Sequence, residues 1–502
     1  RGKSLAGSFN DLHVAAITQA ICDGRKQFGA TGPIFVGQDT HALSQPALVT
    51  VLEVLAGNGV TAMVDCDMAF VPTPSVSRAI IRYNEEHDDK ADGIIITPSH
   101  NPPDNGGIKY NTIIGGPADT VVTKWIEMRA NEYLTAYCES EDFKRISIDN
   151  IEPTAQVPYD YKGLYVEELG DVINMEAIKA AGPKVLVDTL GGSGANYWNA
   201  IKERYGLDLT IIHDEYDPTF SFMTYDHDGK VRMDCSSTYV MASVINRIGD
   251  FDLAVGNDPD YDRYGIVVSS GLISANTFLT LAARYLFTTR GWKNKGVGKT
   301  VVCTTMIDKW AADAETPVFE VPVGFKYFSQ LLFDGAIGIG GEESAGASFL
   351  KKDGTVWTTD KDGMIMALLS MEIMAVMGKS ALKMADEFVE EFGNPSFGRI
   401  DAPCKKEQKQ ILKQMSAELI TATTVDGDPI TNIRTTSLYN DMPIDGVRVE
   451  TDKGWFVARP SGTEDLYKIY GESYKGDLGL VALLTAGEEI VNAALNGTIE
   501  TE

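Results

Sequence analysis

The sequence predicts an α/β fold with three similar mixed α/β domains followed by a C-terminal α+β domain. Short apolar runs alternate with amphipathic stretches, a rhythm typical of parallel strands covered by helices. Three apolar runs end abruptly in polar loops, in DGIIITPSHNP, DLAVGNDPDYD and GAIGIGGEESAG. All α/β units share this pattern, so periodicity alone leaves open whether the three are homologous. The predicted domains are 1–155, 156–275, 276–392 and 393–502.

The first unit shows the βαβ pattern most clearly. PIFVGQD (33–39) and TAMVDCD (61–67) are predicted strands, and SQPALVTVLEVLAGNG (44–59) between them is a predicted helix. Ser44 is a candidate N-cap for that helix, and Gly57 or Gly59 is expected to end it.

The later elements follow in order. KVLVDTLGGSG (184–194) opens a second unit, and GKTVVCTT (298–305) opens a third. After NPSFGR (394–399) the pattern changes: KKEQKQILKQMSAEL (405–419) is a predicted amphipathic helix. The segment 447–473 alternates like antiparallel strands around a turn.

Composition limits the classes of partner. The 502 residues carry a net charge of −27, which argues against nucleic acid and against an anionic membrane surface. A phosphorylated substrate would have to meet a local basic pocket. Six cysteines without a CxxC pair favour reduced thiols in a cytoplasm. No signal peptide is recognisable and no apolar run approaches the roughly 18 residues of a membrane span, so we expect a cytoplasmic protein.

The first candidate site is TPSHNPPDNGGIKYN (97–111). The preceding run, Gly93 to Ile96, is a predicted buried strand, so Ser99 lies on a stiff loop at the strand's carboxyl end. Open α/β sheets place their chemistry at this end. Lys109, a basic side chain, follows ten residues later. A single loop serine is more often a turn residue than a nucleophile, so the assignment depends on the other loops.

The second candidate site is GNDPDYDRYG (256–265), with carboxylates at Asp258, Asp260 and Asp262. In an extended loop alternate side chains point the same way, so three hard oxygen ligands would converge on Mg²⁺ or Ca²⁺. The loop does not fit an EF-hand, because Arg263 stands where that motif needs glycine and Ser269 where it needs glutamate. The alternative is a solvated acidic turn.

Two further segments resemble phosphate-binding loops, and only the second remains a candidate. GVGKT (296–300) lacks the first glycine of a P-loop and is predicted to be a turn entering a strand. RPSGTE (459–464) combines an arginine fork, two hydroxyls and a glycine that lets backbone N–H groups face an anion. An ordinary hairpin turn is the alternative for RPSGTE.

The last candidate loop is GEESAG (341–346), in which Glu342 and Ser344 follow an apolar strand. A carboxylate and a hydroxyl together suit sugar hydroxyls, which both donate and accept hydrogen bonds. The segment is not a nucleophile elbow, because position 342 is glutamate rather than glycine.

These four loops, in this order, resemble the α-D-phosphohexomutase superfamily, and within it the bacterial-type phosphoglucomutase branch. TPSHNP is similar to its phosphoserine loop, DPDYDR to its metal loop, GEESAG to its sugar-selecting loop and RPSGTE to its phosphate-binding loop. The resemblance implies four domains around a central active-site cleft. It also implies an isomerase of carbohydrate metabolism that is a phosphoprotein, uses Mg²⁺, and has glucose 1,6-bisphosphate as activator and intermediate.

The resemblance also implies residue roles. Ser99 would carry the phosphoryl group and complete the metal shell formed by Asp258, Asp260 and Asp262. Arg263 would contact the phosphoserine, and Lys109, with His100 beside it, would be the acid/base candidate; a base at neutral pH needs a lowered lysine pKa. Arg1-Gly2 resembles the tail of another family loop. The substrate-binding residues implied are Gly324, Lys326, Glu342, Ser344, Lys352, Arg459, Ser461, Gly462 and Thr463.

Glu343 and Ala345 favour glucose, because relatives acting on mannose or glucosamine phosphates usually carry glycine directly after the serine. The expected activity is therefore conversion of glucose 1-phosphate to glucose 6-phosphate through phospho-Ser99. The alternatives are phosphomannomutase, phosphoglucosamine mutase, a non-catalytic sugar-phosphate binder, or a serine hydrolase. Expected partners are small hexose phosphates, in a monomer or homodimer.

Overall fold

The computed structural model describes residues 1–4, 7–137, 143–379, 381–461 and 466–499. The chain divides into two compact units, each described here by itself. The first unit comprises Arg1–Asn294 and Phe325–Leu382, and the second comprises Lys295–Gly324 and Lys383–Glu502.

Within the described ranges, strands and helices alternate through most of the chain. The strands are β1 (Gly2–Lys3), β2 (Ile34–Gln38), β3 (Ala62–Asp65), β4 (Asp92–Ile96), β5 (Asn105–Gly106), β6 (Ile108–Asn111), β7 (Gln156–Tyr159), β8 (Val185–Asp188), β9 (Leu209–Ile212), β10 (Leu253–Asn257), β11 (Tyr264–Val268), β12 (Gly271–Leu272), β13 (Gly296–Thr300), β14 (Val318–Val321), β15 (Ile337–Gly341), β16 (Ala347–Phe349), β17 (Ser396–Pro403), β18 (Thr424–Val425), β19 (Asp428–Thr436), β20 (Pro443–Thr451), β21 (Gly454–Pro460) and β22 (Leu466–Ser473). The helices are α1 (Asp11–Gly24), α2 (Ser44–Gly57), α3 (Thr73–Glu86), α4 (Thr120–Tyr137), α5 (Tyr161–Val172), α6 (Met175–Ala181), α7 (Ala195–Tyr205), α8 (Ala242–Ile245), α9 (Ala275–Arg290), α10 (Met306–Asp313), α11 (Lys326–Phe333), α12 (Gly363–Met377), α13 (Ala381–Phe392), α14 (Lys406–Lys413) and α15 (Gly476–Ile499). The α/β fold class predicted from the sequence is confirmed.

The first sheet of unit 1 has the strand order β6-β4-β2-β3-β7. Its central strands are parallel, and β4 pairs with β6 in antiparallel register. Successive side chains of β2 face opposite cores: Ile34 and Val36 pack on the side of α1 and α2, while Phe35 packs against α3 and Tyr161. Because helices cover both faces of the sheet, the strands are continuous apolar runs in the sequence. The carboxyl end of β4 leads directly into the Ser99 loop.

The second sheet of unit 1 has the order β12-β11-β10-β8-β9, with β8, β9 and β10 parallel. β10 and β11 form an antiparallel pair, and the acidic loop 258–263 connects them. The same arrangement of an antiparallel pair joined by a polar loop occurs twice more. β4 pairs with β6 beyond the Ser99 loop, and β15 pairs with β16 beyond 342–346. The three apolar runs that end in polar loops therefore share one local topology: a buried strand, a polar loop and a second strand antiparallel to the first.

Unit 2 is dominated by an antiparallel sheet in the order β17-β22-β21-β20-β19-β18. The antiparallel strands predicted over 447–473 are confirmed. The helix predicted over 405–419 is shorter, because α14 ends at Lys413 and a single 3₁₀ turn follows at Ala417–Leu419. GVGKT was predicted to be a turn entering a strand; it is instead the whole of β13, paired in parallel with β14.

Helix α15 corrects the expectation about membrane spans. Its segment Gly476–Asn496 has a mean hydropathy of 1.5 and is long and apolar enough to cross a membrane, and 33% of that segment is buried. Leu483, Leu484, Val491 and Leu495 pack into the core of the unit 2 sheet. One face of α15 therefore packs on the sheet of unit 2, while Leu478 and Val481 are exposed.

Candidate active site

Ser99 lies at the carboxyl end of β4 in a constrained backbone conformation. It is 1% exposed, and its φ of 65° falls in the left-handed region that a side chain other than glycine rarely adopts. Its hydroxyl donates to Oδ2 of Asp258 at 3.2 Å and lies 3.3 Å from Nδ1 of His100. The structure therefore joins the loop serine to the acidic loop, which is 159 residues away in the chain.

Asp258, Asp260 and Asp262 converge, as predicted, with one oxygen from each lying within 4.8 Å of the others. All three are at most 2% exposed. The expected extended loop is wrong, however. The segment is a tight turn in which the amide of Tyr261 donates to the carbonyl of Asp258 and Tyr261 has a φ of 63°. The turn, rather than strand alternation, gathers the carboxylates.

The donor set fits a divalent cation. Burial, followed by the nearby charges of Asp260 and Asp262, raises the pKa of Asp258 well above its ordinary value. Oδ1 of Asp260 and Oδ1 of Asp262 are buried without a hydrogen-bond partner. Unpartnered buried carboxylate oxygens are costly, and three hard oxygens at this spacing suit Mg²⁺.

Two lysines meet the acidic cluster. The ammonium of Lys109 donates to Oδ2 of Asp260 at 2.5 Å and to Oδ2 of Asp262 at 2.7 Å. Lys361 Nζ lies 3.2 Å from Oδ2 of Asp262. Burial opposes the charged form of Lys109, but Asp260 and Asp262 outweigh it and raise its pKa, opposite to the lowering that a base at neutral pH needs. In this arrangement Lys109 is a cation.

Arg263 and His100 lie on the other side of the serine. Nη1 of Arg263 contacts Asp234 at 3.3 Å, and its backbone N–H donates to Oδ1 of Asp258. Burial and then the charge of Arg263 lower the pKa of His100, so the imidazole is neutral near pH 7. His100 therefore contacts Ser99 directly, while Arg263 contacts Asp258, the acceptor of the Ser99 hydroxyl, and has Asp234 as its counter-ion.

The predicted sugar-selecting loop, 342–346, joins β15 to β16. Burial raises the pKa of Glu342 to about 7, while the charge of Lys361 opposes the rise. Ser344 is half-buried on the same turn. Ala345 has a φ of 65°, and a Cβ on Gly346 would lie 2.2 Å from Cδ of Lys361. Gly346 therefore leaves the space through which Lys361 reaches the cluster.

Three other predicted binding residues lie at the start of α11, just before that helix and after β16. Lys326 begins α11 and donates to Oγ1 of Thr120 at 2.5 Å. Gly324, in unit 2, has a φ of 132°. Lys352 is exposed, and its ammonium lies 3.4 Å from the carbonyl of Ile173. The structure does not bring Lys352 to the acidic cluster; Lys361 occupies that place.

The predicted phosphate loop belongs to unit 2. Arg459 lies near the end of β21, with its Nε buried and unpartnered, and the amide of Ser461 donates to the carbonyl of Leu466. Gly462 and Thr463 lie outside the described residues. At the other terminus, β1 pairs with β5, and Arg1 lies against Gly107 in the Ser99 segment.

Sequence reasoning missed Lys361 and Asp234, and also Asp39 and His41, which support the Ser99 loop. Ser44, the candidate N-cap, instead donates its hydroxyl to Asp39 at 2.5 Å, and Leu43 holds the cap position. The only signal for Asp39 was its position as the last residue of the predicted strand 33–39.

Comparison with known proteins is consistent with this geometry. The chain matches the phosphoglucomutase/phosphomannomutase alpha/beta/alpha domains I, II and III over residues 1–136, 164–271 and 274–392, and the C-terminal domain over 401–478. A phosphoglucomutase of Komagataeibacter xylinus is 47% identical over 498 residues, covering 98% of this chain and 89% of that protein. Phosphoglucomutase 1 of Saccharomyces cerevisiae is 26% identical, covering 93% and 85% respectively.

Solved structures agree at the level of the fold. A putative phosphomannomutase from Thermus thermophilus superposes with a TM-score of 0.75 at 23% identity, covering 96% of this chain and 95% of that one. Four matched domains in order, together with a relative 47% identical over nearly the whole chain, show the family. The chain belongs to the phosphoglucomutase/phosphomannomutase family of the α-D-phosphohexomutase superfamily.

Proposed function

We propose that this protein is a phosphoglucomutase that interconverts α-D-glucose 1-phosphate and glucose 6-phosphate. The observation that carries the proposal is the placement of the Ser99 hydroxyl 3.2 Å from Asp258, inside a buried cluster of three carboxylates. A buried serine at a metal-type acidic cluster suits phosphoryl transfer, which depends on positioning and charge neutralisation.

The proposed reaction moves a phosphoryl group twice. In the first step, the 6-hydroxyl oxygen of glucose 1-phosphate loses its proton to a base in the site and bonds to the phosphorus of phospho-Ser99. The bond to Ser99 Oγ breaks, Ser99 Oγ takes up a proton, and glucose 1,6-bisphosphate forms. After the intermediate turns over, Ser99 Oγ takes the phosphoryl group from the 1-position and releases glucose 6-phosphate. The enzyme regains its phosphoserine in each cycle, and trace glucose 1,6-bisphosphate would serve as activator by phosphorylating enzyme that has lost this group.

We assign the metal site to Asp258, Asp260, Asp262 and a phosphate oxygen on Ser99. Mg²⁺ bound there would neutralise negative charge on the transferring group. Arg263 adds a fixed positive charge beside Ser99. His100, 3.3 Å from Ser99 Oγ, and Lys109, beside Asp260 and Asp262, are the residues we assign to proton transfer. For that role the lowered pKa of His100 and the raised pKa of Lys109 would have to shift back toward neutrality when Mg²⁺ and substrate bind.

Substrate recognition is assigned to three groups of residues. Glu342 and Ser344 would bind the sugar hydroxyls, and Gly324 with Lys326 would read the orientation of the sugar. The phosphate that is not reacting would be held by Arg459, Ser461, Gly462 and Thr463. Lys352 is left out, because its described contact is with the carbonyl of Ile173.

The test is conversion of glucose 1-phosphate to glucose 6-phosphate, coupled to a dehydrogenase, with Mg²⁺ and trace glucose 1,6-bisphosphate. We expect turnover that EDTA abolishes and that Ser99→Ala abolishes. Ser147→Ala, at an exposed position outside the site, is the matched control. Turnover of S99A near the wild-type rate would refute the phosphoserine assignment. Faster turnover of mannose or glucosamine 1-phosphate would reassign the substrate.

We place the enzyme in the cytoplasm. Cys22, Cys66 and Cys235, among the described residues, are free thiols, which supports a reducing compartment. We propose that small hexose phosphates are its ligands and that it works as a monomer or homodimer. Sedimentation of the purified chain distinguishes these two states.

A further inference from the structure

The left-handed backbone of Ser99 is held from both flanks of its loop. A residue other than glycine rarely adopts a φ of 65°, so the surrounding contacts must enforce it. The amide of Ser99 donates to Oγ1 of Thr97 at 2.8 Å on one side. On the other side, the carbonyl of Asn101 lies 2.9 Å from Nε2 of His41.

Thr97 and His41, the residues that make these two contacts, both contact the carboxylate of Asp39. Asp39 is fully buried at the end of β2, the neighbour of β4 in the sheet. Its Oδ2 accepts the hydroxyl of Thr97 at 2.6 Å and faces Nδ1 of His41 at 2.8 Å. Its Oδ1 accepts the hydroxyl of Ser44 and the amide of His41. Each oxygen of the Asp39 carboxylate therefore has two hydrogen-bond partners.

These contacts fix the direction of each hydrogen bond. The hydroxyl proton of Thr97 is used on Asp39, so its oxygen is left to accept the amide of Ser99. Both ring nitrogens of His41 face acceptors, Asp39 Oδ2 and the Asn101 carbonyl, so both must carry protons. Burial opposes the imidazolium, but Asp39 outweighs it and raises the pKa of His41.

We propose that Asp39 is a positioning residue for the reaction, acting through Thr97 and His41 to hold Ser99 Oγ toward Asp258. The inference rests on the proposed function. Asp39, Thr97 and His41 touch neither the metal cluster nor the expected path of the phosphoryl group in the described contacts. They set the loop's shape before substrate arrives, and a small displacement of a reacting group costs about a hundredfold in rate.

The central variant is Thr97→Val, which keeps the shape of the side chain and removes the hydroxyl. We expect kcat to fall by about tenfold to a hundredfold while KM for glucose 1-phosphate changes by less than about threefold. Thr97→Ser restores the hydroxyl and should recover most of the lost kcat. His41→Phe, which keeps an aromatic ring beside Phe220, tests the other flank.

The matched control is Thr50→Val. Thr50 is also buried in unit 1 and also donates to a carboxylate, Oδ1 of Asp11, at 2.5 Å. It belongs to α2 rather than to the Ser99 loop, so T50V removes a buried threonine hydroxyl without disturbing the loop. A general loss of stability would lower the activity of T50V and T97V alike.

Hydrogen exchange of a peptide spanning 97–101 is the second readout, because it reports on the loop whether or not the enzyme turns over. We expect faster exchange in T97V and H41F and unchanged exchange in T97S and T50V. Unchanged exchange or unchanged kcat in T97V, with active wild type, overturns the positioning role alone. Wild type inactive on every hexose phosphate overturns the proposed function and this role with it.

Discussion

The ammonium of Lys109 lies 2.5 Å from Oδ2 of Asp260, so a lysine predicted to move protons is ion-paired with a residue predicted to hold the metal. β6, which carries Lys109, returns antiparallel to β4 and brings this side chain back over the end of the strand. The same carboxylate oxygen also accepts the hydroxyl of Thr73 at 2.7 Å. The position of Asp260 is therefore fixed by donors from two elements.

Replacement of Lys109 by Met should remove the charge while keeping the length of the side chain. We expect Lys109→Met to lower kcat by about 10²–10⁴-fold, the range for loss of a positioned acid or base. Lys124→Met, on the exposed face of α4, is the control and should leave kcat unchanged. Steady-state kinetics at saturating Mg²⁺ measure both. Equal activity of the two variants would remove Lys109 from the mechanism.

Lys361 and Lys352 give opposite expectations for two lysines close together in the chain. Lys361 lies 3.2 Å from Asp262, whereas Lys352 contacts the carbonyl of Ile173. Lys361→Met should therefore lower kcat/KM by about a hundredfold, and Lys352→Met should change it by less than about threefold. Kinetics with glucose 1-phosphate test both. The reverse ranking would favour the assignment implied by the sequence resemblance.

A substitution at Gly346 should disturb the position of Lys361. A Cβ at this position would lie 2.2 Å from Cδ of Lys361, so Gly346→Ala must displace that side chain. We expect G346A to lower kcat/KM toward the K361M value, and the double variant to be no worse than K361M alone, because both act on one interaction. Additive losses would show that Gly346 acts through something other than Lys361.

The site residues could be predicted from the sequence where each one follows a recognisable strand. Ser99, Asp258, Asp260 and Asp262 each follow an apolar run, and the structure confirms the buried strands β4 and β10 before them. The gathering of the acidic triad was predicted, but its cause was not, because the left-handed turn at Tyr261 has no glycine to mark it.

The contact of Lys361 with the acidic cluster could not be predicted from the sequence, because it joins residues far apart in the chain. Lys352 was assigned through the family resemblance, by its position after GEESAG, but β16 carries the chain away from the loop at about 3.3 Å per residue. Lys361 is brought back because Asp362 caps α12 and is held by Tyr165 and Trp357. No motif marks such a contact, since the residues that make it are far apart in the chain.

A last prediction concerns acid stability in unit 2. Glu450 lies between two arginines, with Oε1 at 2.6 Å from Nε of Arg448 and 3.3 Å from Nη2 of Arg434. Burial alone would raise its pKa, but Arg448 and Arg434 outweigh that effect and lower the pKa from 4.5 to about 2. A carboxylate with a lowered pKa stabilises the fold above its unfolded pKa, and this contribution is lost as the pH falls through the folded value.

Glu450 should therefore contribute at most about 3 kcal/mol to the free energy of unfolding, a contribution lost between about pH 4.5 and pH 2. Glu450→Gln has no group to titrate there. The stability difference between wild type and E450Q should be largest near pH 6 and should shrink near pH 3. Hydrogen exchange of β20 peptides in increasing urea measures it. A difference that stays constant across this range would mean that Glu450 is not held ionised by the two arginines.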